Sequence, residues 1–164
     1  MKLQSVILLH VMAGMLAACQ PHTPAAVTPP VSPDTLLVKE NYADSSTSRV
    51  FQRINGRIEG EMTDYYPDGQ LKAIRLFQGG KQQGKTTIYY PDGKIKEVQY
   101  YQDGLKTGGD TLYYPNGALQ FVAEFLRDKK NGYLRKWSES GALIYEARFE
   151  MDSVVEVKGE KVKN

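Results

Sequence analysis

The sequence predicts an all-β protein, an elongated and twisted antiparallel meander built from 24-residue β-hairpin repeats. Three observations predict this fold. The motif Tyr-Tyr-Pro-Asp/Asn-Gly begins at Tyr65, Tyr89 and Tyr113, with the same spacing each time. Glycines and apolar residues recur at that spacing without a gap. The runs between the turn motifs are rich in Thr, Tyr, Val, Ile and Phe, the residues that favour strands.

Residues 1–18 are typical of a secretory signal peptide, because a basic residue is followed by an apolar run that ends in small residues. The run is shorter than the roughly 20 residues of a membrane-spanning helix. Its end, Leu16-Ala17-Ala18-Cys19, resembles a bacterial lipobox, which implies cleavage before Cys19 and acylation of that residue. An ordinary signal with a chance cysteine is the alternative. Gln20 follows the cysteine, and by resemblance to the bacterial lipoprotein sorting rule this favours the outer membrane, on either side of it.

Residues 19–40 are predicted to be a proline-rich tether that begins at the acylated Cys19. Five of the eight prolines lie before residue 40. Proline has no amide donor and a fixed φ, so the segment favours an extended spacer over a helix or an inner strand. Such a spacer would hold the folded part away from the membrane, although an unselected linker has the same composition.

Residues 41–55 are predicted to be a degenerate N-terminal half-repeat. Tyr42 and Asp44 align one period before Tyr66 and Asp68. The segment would therefore cap the first end of the sheet.

Residues 56–152 contain four repeats, each predicted to be two strands and two turns, which gives about eight strands. The clearest unit has one strand from Gly84 to Tyr90 and the next from Lys94 to Tyr101. Pro-Asp-Gly between them is a turn sequence, since proline presets φ and glycine accepts positive φ. The Gly-x-x-x-Gly segments, such as Gly80 to Gly84, are expected to close the return turn. The predicted turn glycines are Gly69, Gly93, Gly117 and Gly141.

Residues 153–164 are predicted to be a C-terminal cap strand with a basic tail. Val154-Val155-Glu156-Val157 has strand composition, and lysines follow it. Lysines at a sheet edge discourage strand-to-strand aggregation, although here they would equally suit a solvated tail.

The repeat units resemble the bacterial variant of the MORN repeat and are similar to the YwqK family, which is described as antitoxin-like. The resemblance covers about residues 53–152. The chain departs from the family pattern in two places. The tryptophan that the family has two residues after the strand-opening glycine is replaced in all four units, and the fourth unit, Trp137 to Gly141, lacks Tyr-Pro. The replacing residues are Met62, Thr86, Asp110 and Leu134. The resemblance implies a repeat sheet that binds other molecules, usually protein and alternatively lipid, and it implies no reaction.

The residue inventory argues against an enzyme, a metal site or a cofactor. Both histidines and the single cysteine precede the repeats. Asp68 and Asp92 suggest paired carboxylates for acid–base chemistry, but Asn116 has the equivalent place, which favours a turn role. Acidic residues such as Glu97 and Asp110 alternate with lysines, as on a solvated surface. No basic block stands out, so nucleic-acid binding is not expected.

The aromatic residues Tyr65, Tyr89, Tyr113 and Trp137 are the candidate binding residues, and cross-strand packing is the alternative role. Because neighbouring side chains in a strand point to opposite faces, we expect Tyr65 and Tyr66 to emerge on different sides. A one-layer sheet must then expose, bend or cover one apolar face. The sequence therefore predicts a non-enzymatic interaction module at the bacterial envelope, with an unknown protein partner and an open oligomeric state. An antitoxin and a lipid-binding repeat protein are the alternatives.

Overall fold

The structure is a computed structural model that describes residues 34–158, 160 and 161. These residues form one sheet of thirteen strands. They contain no helix, and therefore no helix that could span a membrane. The predicted all-β antiparallel meander is confirmed. The predicted signal peptide, the acylation site Cys19 and the prolines of the tether lie outside the described residues.

The sheet follows the chain from one edge to the other, and each strand is antiparallel to its neighbours. The strands are β1 (Thr35–Asn41), β2 (Thr47–Ile54), β3 (Arg57–Tyr65), β4 (Leu71–Gln78), β5 (Lys81–Gln82), β6 (Gly84–Tyr89), β7 (Ile95–Gln102), β8 (Leu105–Tyr113), β9 (Leu119–Leu126), β10 (Lys129–Trp137), β11 (Leu143–Glu150), β12 (Ser153–Val157) and β13 (Glu160–Lys161). The short β5 pairs only with β4, which then pairs with β6. The four predicted repeats are the hairpins β3–β4, β6–β7, β8–β9 and β10–β11.

Each hairpin has the turn that its Pro-Asp/Asn-Gly sequence favours. In the first unit the Gly69 amide donates to the Tyr66 carbonyl at 2.9 Å, and Asp68 Oδ1 accepts the Gln70 amide at 3.0 Å. All four turn glycines have a φ between +81° and +85°. The turn at Asp44 has the same two hydrogen bonds, with Ser45 at a φ of +69° in the place of the glycine. The hairpin β1–β2 is therefore built like the later units.

The expected role of the Gly-x-x-x-Gly segments as return turns is right for the first glycine, such as Gly80 or Gly104, and wrong for the second. Between β7 and β8 the turn consists of Asp103 and Gly104 alone, with φ values of +53° and +86°. Two residues with positive φ close a tight hairpin, so the chain resumes the strand at once. The second glycine of the segment, Gly108, lies inside β8 with a φ of +93°, where the pairing with β7 shifts register. It forms a bulge in the strand.

Two predicted boundaries differ from the structure. The strand β1 begins at Thr35, so residues 35–40 of the predicted tether belong to the sheet. Proline is absent after Pro33 in this segment, so its backbone amides are available to pair with β2. At the other end β12 contains the predicted cap strand, but β13 pairs beyond it, and Lys161 is part of that strand rather than of a free tail.

One face of the sheet contains nearly all the buried side chains, and we call it the core face. Cross-strand pairing joins these residues into a continuous set: Phe51, Met62, Asp64, Ala73, Thr86, Asp110, Ala123, Leu134, Ala147 and Phe149. The four residues that replace the family tryptophan are among them and are between 1% and 7% exposed. A smaller side chain at this position is therefore compatible with a closed core face.

Candidate functional site

Tyrosine hydroxyls join each repeat to the next one. The second tyrosine of every turn motif donates its hydroxyl to the backbone carbonyl of the first aromatic residue in the following unit. The bonds are Tyr42 to Tyr65 at 2.7 Å, Tyr66 to Tyr89 at 2.7 Å, Tyr90 to Tyr113 at 2.6 Å and Tyr114 to Trp137 at 2.9 Å. We call this series the tyrosine ladder. Its inclusion of Tyr42 shows that the ladder extends into the N-terminal hairpin.

The second tyrosines, expected on the opposite side of the sheet from the first, lie in the turns rather than in the strands. The strand β3 ends at Tyr65, and Tyr66 belongs to the turn. Alternation between faces holds only within a strand, so it does not place Tyr66. In the fourth unit Ser138 has this position, and its short side chain bonds within its own turn.

The predicted binding residues Tyr65, Tyr89, Tyr113 and Trp137 lie at the ends of β3, β6, β8 and β10, and all are half-buried. Each pairs with an aliphatic residue across its hairpin: Leu71, Ile95, Leu119 and Leu143. The structure does not bring the four into one pocket. Tyr65 lines a shallow groove of about 360 Å³ with Leu37 and Val50, whereas Trp137 lines a separate one.

The groove at Trp137 has a volume of about 450 Å³ and extends from β7 to β11. Its apolar lining consists of Leu112, Tyr114, Phe121, Trp137 and Ile144. Its polar lining consists of Glu97, Gln120 and Lys136. We call these eight residues the aromatic groove. Three aromatic rings and one carboxylate therefore surround a single open space.

The aromatic groove lies where the repeat pattern breaks down. In the first two units a lysine at the hairpin bulge covers the turn tyrosine, with Lys72 Nζ 5.6 Å from the Tyr66 ring centre and Lys96 Nζ 5.7 Å from that of Tyr90. The equivalent residue in the fourth unit is Ile144, which is 55% exposed. The loss of both the tyrosine and the lysine leaves an apolar surface open beside Trp137.

Two carboxyl groups lie together on the core face near this groove. Asp110 is 5% exposed, and its Oδ2 accepts the Lys106 ammonium at 2.8 Å. Its Oδ1 is buried and has no hydrogen-bond partner within the described chain. Burial raises the pKa of Glu97, and the charge of Asp110 raises it further, against a hydrogen bond from Gln99 that lowers it. One ammonium thus faces two carboxylates.

A second buried carboxylate is structural. Asp64 Oδ1 accepts Arg49 Nε at 2.5 Å, and its other oxygen accepts Arg75 Nη1. Burial alone would raise the pKa of Asp64, but the two arginines outweigh burial and lower it. Ile88 and Leu112 occupy the equivalent place in the next two units. The fourth unit has Lys136 there, so the change from Ile88 and Leu112 to Asp64 was only a weak sequence signal for this ion pair.

Sequence reasoning missed the roles of Glu97 and Asp110, which it assigned to a solvated surface. The signal for Asp110 was its place in the column of Met62, Thr86 and Leu134. The sequence gives no signal for the role of Glu97. Its position beside the groove depends on the pairing of β7 with β8, which places it opposite Leu112. Within residues 34–158 no group of three His, Cys, Asp or Glu side chains could hold a metal ion.

Comparison with known proteins gives a match to one family model over part of the chain. A family model described as the MORN repeat variant matches residues 58–78 and 82–103. These residues form the first two hairpin units, β3–β4 and β5–β7. No curated protein matches the chain. The same hairpins continue through β11, so the structure extends the repeat beyond the matched residues.

Proposed function

We propose that this protein is a non-enzymatic protein-interaction module that is displayed at the bacterial envelope. The observation that carries the proposal is the aromatic groove, an open apolar surface of three aromatic rings on a sheet that has no second layer in the described chain. A single sheet usually buries its apolar surface against another element. A partner protein would supply that element here.

The surroundings of the groove support a protein partner. Leu143 and Ile144 are 52% and 55% exposed beside Trp137. Tryptophan and tyrosine in apolar pockets are the residues that contribute most to protein–protein affinity. A space of about 450 Å³ is large enough for one or two anchoring side chains of a partner.

The lipobox-like sequence at Cys19 supplies the proposed attachment to the membrane. Two or three acyl chains would make attachment effectively permanent, since each buried methylene contributes about 0.8 kcal/mol. The proline-rich residues between Cys19 and β1 would extend about 3.1 Å each, a reach of several tens of ångströms. The groove would then be presented to proteins at a distance from the lipid surface, with the outer membrane favoured.

The two alternatives derive from the resemblance to the MORN and YwqK families. An antitoxin would also need an exposed protein-binding surface, but an export signal fits poorly with that role. A lipid-binding repeat would need a cationic surface for anionic headgroups. The lining of the aromatic groove instead contains one carboxylate, Glu97, and one ammonium, Lys136, among apolar side chains, which favours a protein partner over an anionic lipid.

Co-purification after chemical crosslinking in cells tests the proposal. The full-length protein and its Trp137→Ala variant would be recovered from detergent-solubilised membranes and their crosslinked partners compared by mass spectrometry. Leu76→Ala is the matched control, because Leu76 is 46% exposed on the face opposite the core face. We expect a near-stoichiometric partner that Trp137→Ala loses and Leu76→Ala retains. A partner that both variants retain, or no partner with the wild-type chain, would contradict the proposed site or function.

A further inference from the structure

We infer that the aromatic groove binds a cationic side chain, an arginine or lysine, presented by the partner protein. This inference rests on the proposed function and names the chemistry of the partner. The groove combines the faces of Tyr114, Phe121 and Trp137 with the Glu97 carboxylate. Aromatic faces attract a cation through the ring quadrupole, and a carboxylate adds a counter-ion.

Comparison with the first two repeats shows that a lysine is absent beside Tyr114. A lysine at the hairpin bulge lies over Tyr66 in the first unit and over Tyr90 in the second. The third unit has Gln120 at that position, and no cation of the described chain lies over Tyr114. The ring of Tyr114 thus keeps the geometry of its equivalents without their cation. A cation from a partner would take the place of the missing lysine.

A carboxylate that lines the groove favours the same ligand. Glu97 and Asp110 together oppose a single ammonium, that of Lys106, which pairs with Asp110 at 2.8 Å. Glu97 therefore has no cationic partner of its own at 4.0 Å or less within the described residues. Lys136 also lines the groove, but its ammonium lies 5.9 Å from the ring centre of Tyr145. Glu97 is therefore a carboxylate of the groove lining that forms no salt bridge within the described residues, and it is available as a counter-ion for an arginine or lysine.

The apolar lining suits the rest of such a side chain. Arginine and lysine have aliphatic stems that pack along apolar surface while the charged end finds its partner. Leu112 and Ile144 offer that surface within the same groove. An isolated small cation would leave this part uncovered, so the groove fits a side chain better than an ion.

Tryptophan fluorescence measures this binding directly, because Trp137 is the single tryptophan of the chain. The purified full-length protein in a non-ionic detergent would be titrated with the blocked tripeptide acetyl-Leu-Arg-Leu-amide at millimolar concentrations. The matched peptide contains citrulline, which has the shape of arginine without its charge. We expect saturable quenching and an affinity about tenfold higher for the arginine peptide, as for a cation held by aromatic rings and a carboxylate.

Two variants separate the groove from the remaining surface. Glu97→Gln should reduce the preference for arginine over citrulline to about twofold or less, since it removes the counter-ion. Glu61→Gln, on the exposed opposite face, should leave the preference unchanged. Lys136→Gln should strengthen arginine binding because a like charge is removed, and it keeps the test informative if Glu97→Gln fails to fold.

Several results would overturn the inference. They are equal affinity for the two peptides, a preference that survives Glu97→Gln, and quenching by phosphatidylcholine vesicles without quenching by the peptide. The crosslinking experiment distinguishes a failure of this inference from a failure of the proposed function. A crosslinked partner that Trp137→Ala loses and Glu97→Gln retains would keep the groove as the interaction site and remove the cationic ligand.

Discussion

Replacing Tyr90 with phenylalanine removes one rung of the tyrosine ladder and little else. The Tyr90 hydroxyl donates to the Tyr113 carbonyl at 2.6 Å, across the junction of two repeats. Burial and the charges of Asp92 and Glu139 raise the pKa of Tyr90, so the hydroxyl remains a donor at neutral pH. The phenylalanine keeps the ring under Lys96. The difference in unfolding free energy between the wild type and Tyr90→Phe therefore measures the contribution of this hydrogen bond.

The expected loss of stability is about 1 kcal/mol. A neutral hydrogen bond contributes about 0.5–1.5 kcal/mol, and the half-buried carbonyl left behind can still meet water. In a domain of this size the melting temperature would fall by about 4 °C. Urea unfolding followed by circular dichroism measures the change. Tyr100→Phe is the control, because the Tyr100 side chain is 44% exposed and its hydroxyl has no hydrogen-bond partner within the described chain.

Combining the change at all four rungs extends the test. Tyr42, Tyr66, Tyr90 and Tyr114 are each two principal strands from the next, about 10 Å apart, so their effects should be nearly additive. The fourfold phenylalanine variant should lose about 4 kcal/mol. Equal stabilities for Tyr90→Phe and Tyr100→Phe, or a fourfold variant as stable as the wild type, would refute the view that the ladder joins the repeats.

Four further predictions concern single positions. Gly93→Val should lower the unfolding free energy by about 1–2 kcal/mol, since φ is +81° there, and Gly93→Asn should cost less; equal effects in a urea titration would contradict this. Asp64 has a lowered folded pKa, so wild-type stability should decline as pH falls below the ordinary aspartate value, and Asp64→Asn should flatten that decline in acid melting curves. Glu97 has a raised folded pKa, so its ionisation lowers stability as pH rises through that pKa; Glu97→Gln should melt higher at neutral pH, and a lower melting temperature would count against a buried charge. Cys19→Ser should abolish labelling by a palmitate probe, and persistent labelling would disprove acylation at this residue.

The hairpin units could be predicted from local chemistry. Pro-Asp-Gly turns between runs of strand formers specify a tight hairpin whatever surrounds it, and the constant spacing implies that the units stack. The structure has these hairpins from β3 to β11. The return turns were predicted too long because Gly104 and Gly108 have the same residue type but different roles, one in a turn and one in a bulge.

The candidate site was only partly predictable. Trp137 could be selected as an aromatic residue at a repeat position, but its sequence context does not show that Tyr114, Phe121 and Ile144 line the same groove. Glu97 comes from a different hairpin. Such residues meet only when strands pair in one register, and a shift of one residue would move each side chain to the opposite face.

The amino-acid sequence by itself determined the class of fold, the repeat length and the positions of the Pro-Asp/Asn-Gly turns, and it led to the expectation of export. All of these depend on residues close together in the chain, whose backbone preferences act locally. Only the tertiary structure decided that the second tyrosines join neighbouring repeats, that Asp110 is buried, and that the degraded fourth unit leaves an aromatic groove open beside Glu97. These features depend on which side chains the paired strands bring together, because burial and charge act through space rather than along the chain.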